Sequence, residues 1–115
     1  MFVRHFVGGV LRVEILDACL KELRSFPKEV LRDFLDATAK LETGLILSMP
    51  LSRSLPSLGA GVHELRLKGK SGIFRVIYFM KKKEAFYMVH AFTKKSQKTP
   101  QKNIKLALKR IKRFK

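Results

Sequence analysis

Glu64-Leu65-Arg66-Leu67-Lys68-Gly69-Lys70-Ser71-Gly72-Ile73-Phe74-Arg75-Val76-Ile77-Tyr78-Phe79-Met80 decides the fold. In its first part Leu65 and Leu67 point one way and Glu64, Arg66 and Lys68 the other, the period of two of a half-buried strand. Lys68 to Gly72 is turn chemistry. Ile73 to Met80 is so apolar that both of its faces must be covered, which makes it a central strand. Arg75 is the one charge inside it. Lys81 to Glu84 reads as a second turn and Ala85 to Phe92 as a third strand, so three strands form an antiparallel meander.

Upstream, the Gly-, Ser- and Pro-rich stretch Ser48 to Gly61 reads as one long loop. Before it the period is helical. Leu16, Cys19, Leu20 and Leu23 fall at i, i+3, i+4 and i+7. Pro27 suits the first turn of a second helix, Val30, Leu31, Phe34, Leu35 and Leu41 give it an apolar face, and Gly44 is a natural stop. Leu11 to Leu16 fits a short strand ahead of this hairpin. Downstream, Thr99 is placed as N-cap and Pro100 as first residue of a last helix. There Ile104, Ala107, Leu108 and Ile111 make one stripe, and Lys102, Lys105, Lys109, Lys112 and Arg113 cover the rest. The expected fold is α+β: a small twisted antiparallel sheet of about four strands, an N-terminal helical hairpin on one face and a C-terminal helix. The other face is expected to be partly open. A chain of 115 residues is one domain.

Charge narrows the function. Lys and Arg number 25 against 9 Asp and Glu, for a net charge of +16. Beyond Glu64 the only acid is Glu84. A folded surface this cationic repels itself and calls for a polyanionic partner: nucleic acid, an acidic protein or membrane headgroups. The single cysteine, Cys19, allows no internal disulfide and no metal cluster, which fits a reducing compartment. No apolar run reaches the roughly 18 to 20 residues of a membrane span, and no secretory signal is read at the start. A cytoplasmic protein without cofactor or metal is expected.

Arg75 is the foremost candidate residue. A guanidinium in so apolar a strand needs a partner, either an ion pair with Glu64 or a bound anion, and its planar fork suits phosphate. Arg66 and Lys68 share one face of the preceding strand, within reach across the hairpin. Lys94, Lys95 and Lys98 lead into a helix N-terminus, where backbone N–H groups also attract anions. His90 is read on the Phe86, Met88 and Phe92 side of its strand, where a histidine is more often a packed, hydrogen-bonded core group. Lys70 and the Lys81, Lys82, Lys83 turn are further cationic positions that suit RNA or simply solvent.

Three blocks carry a resemblance. Leu55-Pro56-Ser57-Leu58-Gly59-Ala60-Gly61-Val62-His63-Glu64-Leu65-Arg66, then Ser71-Gly72-Ile73-Phe74-Arg75-Val76-Ile77-Tyr78, then His90-Ala91-Phe92-Thr93-Lys94-Lys95-Ser96-Gln97-Lys98-Thr99-Pro100 occur in order. Together they resemble the HigB-type, phage-derived branch of the RelE/ParE toxin superfamily. The resemblance runs from about Val10 to the end and leaves residues 1–9 as a variable arm. It implies a toxin of a type II toxin–antitoxin pair that enters the ribosomal A site and cuts mRNA without a metal. The implied partner is a helix-turn-helix antitoxin of the HigA type, with promoter DNA bound only through the complex. By position, Arg75 matches the arginine on the scissile phosphate, Arg66 a second basic residue, and Lys94 and Lys95 the basic positions after the last strand. The Tyr or His that several relatives carry near the chain end has no counterpart, since Phe114 stands there, and Phe92 replaces a polar group. The general base is then sought in Lys94 or Lys95, with His90 as fallback. The alternatives are a ParE-like gyrase inhibitor without RNase activity and a non-catalytic nucleic-acid-binding module.

Overall fold

In the computed structural model, residues 2–5, 11–81, 85–95 and 98–114 are described. The elements run β1 (Phe2–His5), β2 (Arg12–Leu16), α1 (Asp17–Leu23), α2 (Lys28–Glu42), β3 (Ser52–Ser54), a short 3-10 turn (Pro56–Leu58), β4 (Val62–Gly69), β5 (Gly72–Lys81), β6 (Ala85–Lys94) and α3 (Gln101–Lys112). One sheet takes all six strands in the order β1-β2-β6-β5-β4-β3. The α+β class, the helical hairpin and the meander are as expected, and β5 lies inside the sheet.

The sheet corrects the expectation in two ways. It has six strands rather than about four, and it is mixed. β2 runs parallel to β6, with Val13 opposite Phe86 and Ile15 opposite Met88. A parallel pair needs a crossover, and α1 and α2 begin that connection. The two additional strands lie at the edges. β1 pairs antiparallel with β2, so the stretch set apart as an arm contributes a strand. β3 lies inside the expected loop and pairs with His63 to Leu65. Its three residues are too few to display a period.

Each face of the sheet carries its own core. Val13, Leu23, Val30, Phe34, Leu41, Leu65, Val76, Tyr78 and Met88 pack beneath the α1–α2 hairpin. Leu58, Val62, Ile77, Phe79, Val89 and Phe92 pack against Ala107 and Ile111 of α3. Each large side chain so buried contributes about 1.5 to 3 kcal/mol. The second face is therefore half covered, and its open half begins where α3 starts. At the hairpin tip Gly69 lets α2 come close: a Cβ there would lie 2.7 Å from the Val30 Cγ2. Among the described residues no helix is long and apolar enough to cross a membrane.

One irregularity reorients β6. Ile77 lies opposite His90, but Tyr78 lies opposite Met88, so Val89 is an extra residue. Such a bulge turns the following side chains to the other face. Phe86 and Met88 belong to the helical-hairpin core, whereas Phe92 belongs to the α3 core. This corrects the expectation that His90 and Phe92 share a face with Phe86 and Met88. Beyond the bulge His90, Phe92 and Lys94 face the α3 side, where Arg66 and Arg75 already point. The start of α3 also differs from expectation. Thr99 forms no cap, and its hydroxyl instead donates to the Glu64 Oε2 at 3.1 Å.

Candidate functional site

Strand register assembles a cationic cluster on the open half of the α3 side. Arg53 lies opposite Glu64, Arg66 opposite Arg75, and Lys68 opposite Ile73. On the far side of β5, Arg75 lies opposite Phe92 and Ile73 opposite Lys94. Arg53, Arg66, Arg75 and Lys94 thus surround Glu64. Like charges directly opposite one another on a sheet are destabilising, so the Arg66–Arg75 pair is a cost to the fold.

Arg75 and Glu64 form the floor. They are 2 % and 1 % exposed. The Arg75 Nε is 3.7 Å from the Glu64 Oε1, an ion pair too long to be a hydrogen bond. Its Nη1 donates to the Phe74 carbonyl at 3.1 Å. Among the described residues the buried Nε has no hydrogen-bond partner. Burial lowers the Arg75 pKa, with Glu64 opposing and Arg66 adding to the fall. The guanidinium stays charged, because arginine does not deprotonate in proteins. Both sequence readings of Arg75 are compatible with this geometry: it pairs with Glu64 and retains unused donor capacity.

Lys94 is 5 % exposed. Burial pushes its pKa down, Glu64 holds it up, and Arg75, Arg66 and Arg53 push it down further. It is thus an ammonium whose proton is held less firmly than usual. Lys95 lies just past the end of β6 and is exposed. Lys68 is exposed on the cluster face, Lys70 in the β4–β5 turn, and Lys98 ahead of α3. Lys81 closes β5 six residues from Arg75, about 20 Å away at strand rise, so it is not brought to the cluster. Lys82 and Lys83 fall outside the described residues.

His90 belongs to a different network. Its Nδ1 is 3.0 Å from each Glu22 carboxylate oxygen, and its Nε2 is 2.7 Å from the Asn103 Oδ1. Arg110 donates to both Glu22 oxygens at 2.8 and 3.2 Å and to the Val89 carbonyl at 2.7 Å. The Ala91 N–H donates to the Glu22 Oε1 at 3.1 Å. β2 ends opposite Met88, and among the described residues no strand pairs with the edge of β6 beyond it. Glu22 from α1 and Arg110 from α3 take over its backbone groups. Burial would raise the Glu22 carboxyl, but the bonds from His90, Arg110 and the Ala91 N–H prevail and hold it at about 2. With both ring nitrogens engaged, His90 acts here as a structural fastener.

Arg53, Arg110, Asn103 and Glu22 were absent from the sequence-based candidates. Arg53 lay in an apparent loop. Asn103 and Arg110 did leave a signal: they flank Ala107 on the buried side of an amphipathic helix, where a polar residue needs a partner. A cavity of about 370 Å³ adjoins Arg66 and Lys68 at the outer edge of β4, but Asp33 and Asp36 also line it. Those carboxylates make it a poorer seat for phosphate than the cluster. Burial also pushes the Cys19 thiol far up, which leaves it an inert core group.

No curated protein matches the chain. A profile described as "Phage derived protein Gp49-like (DUF891)" matches residues 21–112, from α1 to the last turn of α3, and so spans β4, β5, β6 and every residue of the cluster. The chain therefore belongs to the phage-derived Gp49-like family, which is a RelE-like toxin-type family.

Proposed function

We propose that this protein is the toxin of a type II toxin–antitoxin pair, of the HigB type, and that it cleaves mRNA on the ribosome. One observation carries the reading. A strand arginine with unused donor capacity lies among three further cations and a single carboxylate, on a rigid sheet, in a family of toxin type. A phosphodiester supplies the charge that this cluster lacks.

In this reading the RNA 2′-oxygen attacks the adjacent phosphorus. The O2′–P bond forms, the P–O5′ bond breaks, and a 2′,3′-cyclic phosphate and a free 5′-hydroxyl result. Negative charge gathers on the non-bridging oxygens, where Arg75 and Arg66 stabilise it. Loss of one such donor typically lowers a rate about 10²- to 10³-fold. Lys94 is the base, because burial already loosens its proton. It acts in its deprotonated fraction, and the leaving 5′-oxygen takes a proton from water. No residue step calls for a metal or an organic cofactor. Lys95, Lys68, Lys70 and Lys98 extend the cationic approach. The cognate partner is a helix-turn-helix antitoxin that covers the cluster, and the complex rather than the toxin binds promoter DNA. Such a protein works in the cytoplasm.

Induction of the wild-type gene, with mapping of 5′-ends on translated mRNA and assay of plasmid supercoiling, tests this. Discrete cuts in translated messages, unchanged supercoiling and arrest cured by the adjoining gene are expected. Altered supercoiling without cuts would replace the nuclease by a ParE-like gyrase inhibitor. Neither effect, with nucleic-acid binding retained, would leave a binding module.

A further inference from the structure

α3 carries charge that the cluster does not use. Lys102, Lys105, Lys109 and Lys112 lie along its solvent side and are all exposed. Their spacing of three, four and three residues stacks them on one face, and they span about 15 Å. Arg113 prolongs the row. The helix sequence, QKNIKLALKRIK, contains no acid. Like charges at these spacings each cost about 0.2 to 0.5 kcal/mol. α2 shows the contrasting solution, mixing both signs and pairing Lys40 with Asp36 at 3.2 Å. Lys109 and Lys112 in the last turn suit the helix dipole, but Lys102 near the N-terminus opposes it and Lys105 gains nothing from it, so helix stability does not explain the whole row.

Its position gives it direction. The helix begins beside the cluster, where Thr99 holds Glu64. It ends at Lys112, and Phe114 just beyond packs on Phe79 and Tyr87 toward the far end of the sheet. The lysine row thus continues the cationic surface of the cluster along the whole helix. Ala107 and Ile111, on the opposite side, are 0 % and 2 % exposed. The core of the apolar stripe is turned onto the sheet and Leu106 is the one half-exposed apolar side chain among the lysines, too little for the broad apolar face with which a membrane-surface helix inserts between lipids. Lysine is a mobile point charge without a planar fork, suited to phosphates rather than to base edges.

We propose that the lysine row of α3 is a docking ridge for an RNA phosphate backbone, distinct from the phosphate held at Arg75. The ridge rests on the RNA reading given above and adds a second binding region to it. It binds without sequence preference and sets affinity and salt dependence.

The test uses a fluorescent 2′-O-methyl RNA hairpin, which lacks the attacking hydroxyl and cannot be cut. Three full-length proteins are compared: wild type, K102Q/K105Q/K109Q/K112Q, and a control that loses the same charge from the α1–α2 hairpin, K21Q/R24Q/K28Q/R32Q. Glutamine has nearly the helix propensity of lysine, and thermal melts check folding. If the ridge variant melts early, a quadruple Lys→Arg variant, which keeps the charge, replaces it and must bind like wild type. The slope of log K against log salt is expected to shrink by about three for the ridge variant, at roughly 0.7 for each phosphate no longer neutralised. Its affinity should fall at least about tenfold at moderate salt, and the control's by much less. Equal losses in both variants would show that net charge alone steers binding and would overturn the ridge. So would unchanged RNA binding, or loss of binding to phosphatidylglycerol vesicles alone. Cleavage plays no part in this assay. A ridge effect in a protein that never cuts mRNA would remove the nuclease reading and leave the ridge intact.

Discussion

Two carboxylates on two elements, Glu22 half-buried and Glu64 fully buried, gather the neighbouring cations, and they do so differently. Glu22 is saturated: His90, Arg110 and the Ala91 N–H fill both of its oxygens. Glu64 is outnumbered: Arg75 lies 3.7 Å away, Thr99 donates to it, and Arg53, Arg66 and Lys94 crowd the same field. A saturated network fastens elements together, here α1, β6 and α3. A network with cations in excess leaves attraction for an outside anion. The same residue types thus separate into structure and site according to whether the charges close on themselves.

Breaking the saturated network has the largest expected effect on the fold. Glu22→Ala leaves Arg110 and His90 without their carboxylate and should cost about 2 kcal/mol, with a fall in Tm of roughly 8 °C or more. RNA affinity should hardly change. Acid sharpens this test. The Glu22 carboxyl sits at about 2 against an ordinary 4.5. Its stabilisation is complete above pH 4.5 and is lost as pH falls toward 2. Urea melts of Glu22→Gln should lack that part of the acid dependence.

Glu64→Gln should do the reverse. It removes the carboxylate that competes for Arg75, so affinity for uncleavable RNA should rise by up to about tenfold. If Glu64→Gln weakened RNA binding in a folded protein, the view of Glu64 as competitor would fail.

Lys94 divides charge from proton transfer. Lys94→Arg keeps the cation and removes the base, so cleavage should fall about 10²- to 10⁴-fold while RNA binding persists. Burial lowers the folded pKa below the ordinary 10.5. The unfolded chain then binds more protons between the two values, and stability rises with pH as that window is crossed. Alkaline melts should show this gain in wild type and not in Lys94→Met.

The smallest effect belongs to Thr99. Thr99→Val removes one hydrogen bond to Glu64 and should cost about 1 kcal/mol. Circular dichroism should show α3 unchanged, because Thr99 does not cap it.

What local periodicity encodes was readable: both helices of the hairpin, the meander, and the central placement of β5. Arg75, Arg66 and Lys94 also stood out, as cations in or beside apolar strands. The rest depends on partners far apart in sequence. Nothing near Val13 announces that it will lie parallel to Phe86. The stripe of α3 shows which residues are buried but not which sheet face receives them. The bulge at Val89 leaves no local mark either, yet it turns Lys94 toward Arg75 and moves His90 to the other face, where it is still the packed, hydrogen-bonded group expected of it. Glu22 draws its partners from β6 and α3, so its network becomes visible only once those elements meet.

In the proposed function Arg75 grips the scissile phosphate. Single-turnover cleavage of mRNA on programmed ribosomes by folded Arg75→Ala, Arg75→Lys and wild-type protein tests it most directly. Alanine is expected to lower the rate at least about 100-fold, and lysine to recover only part of it. An Arg75→Ala protein that cuts at nearly the wild-type rate would contradict it.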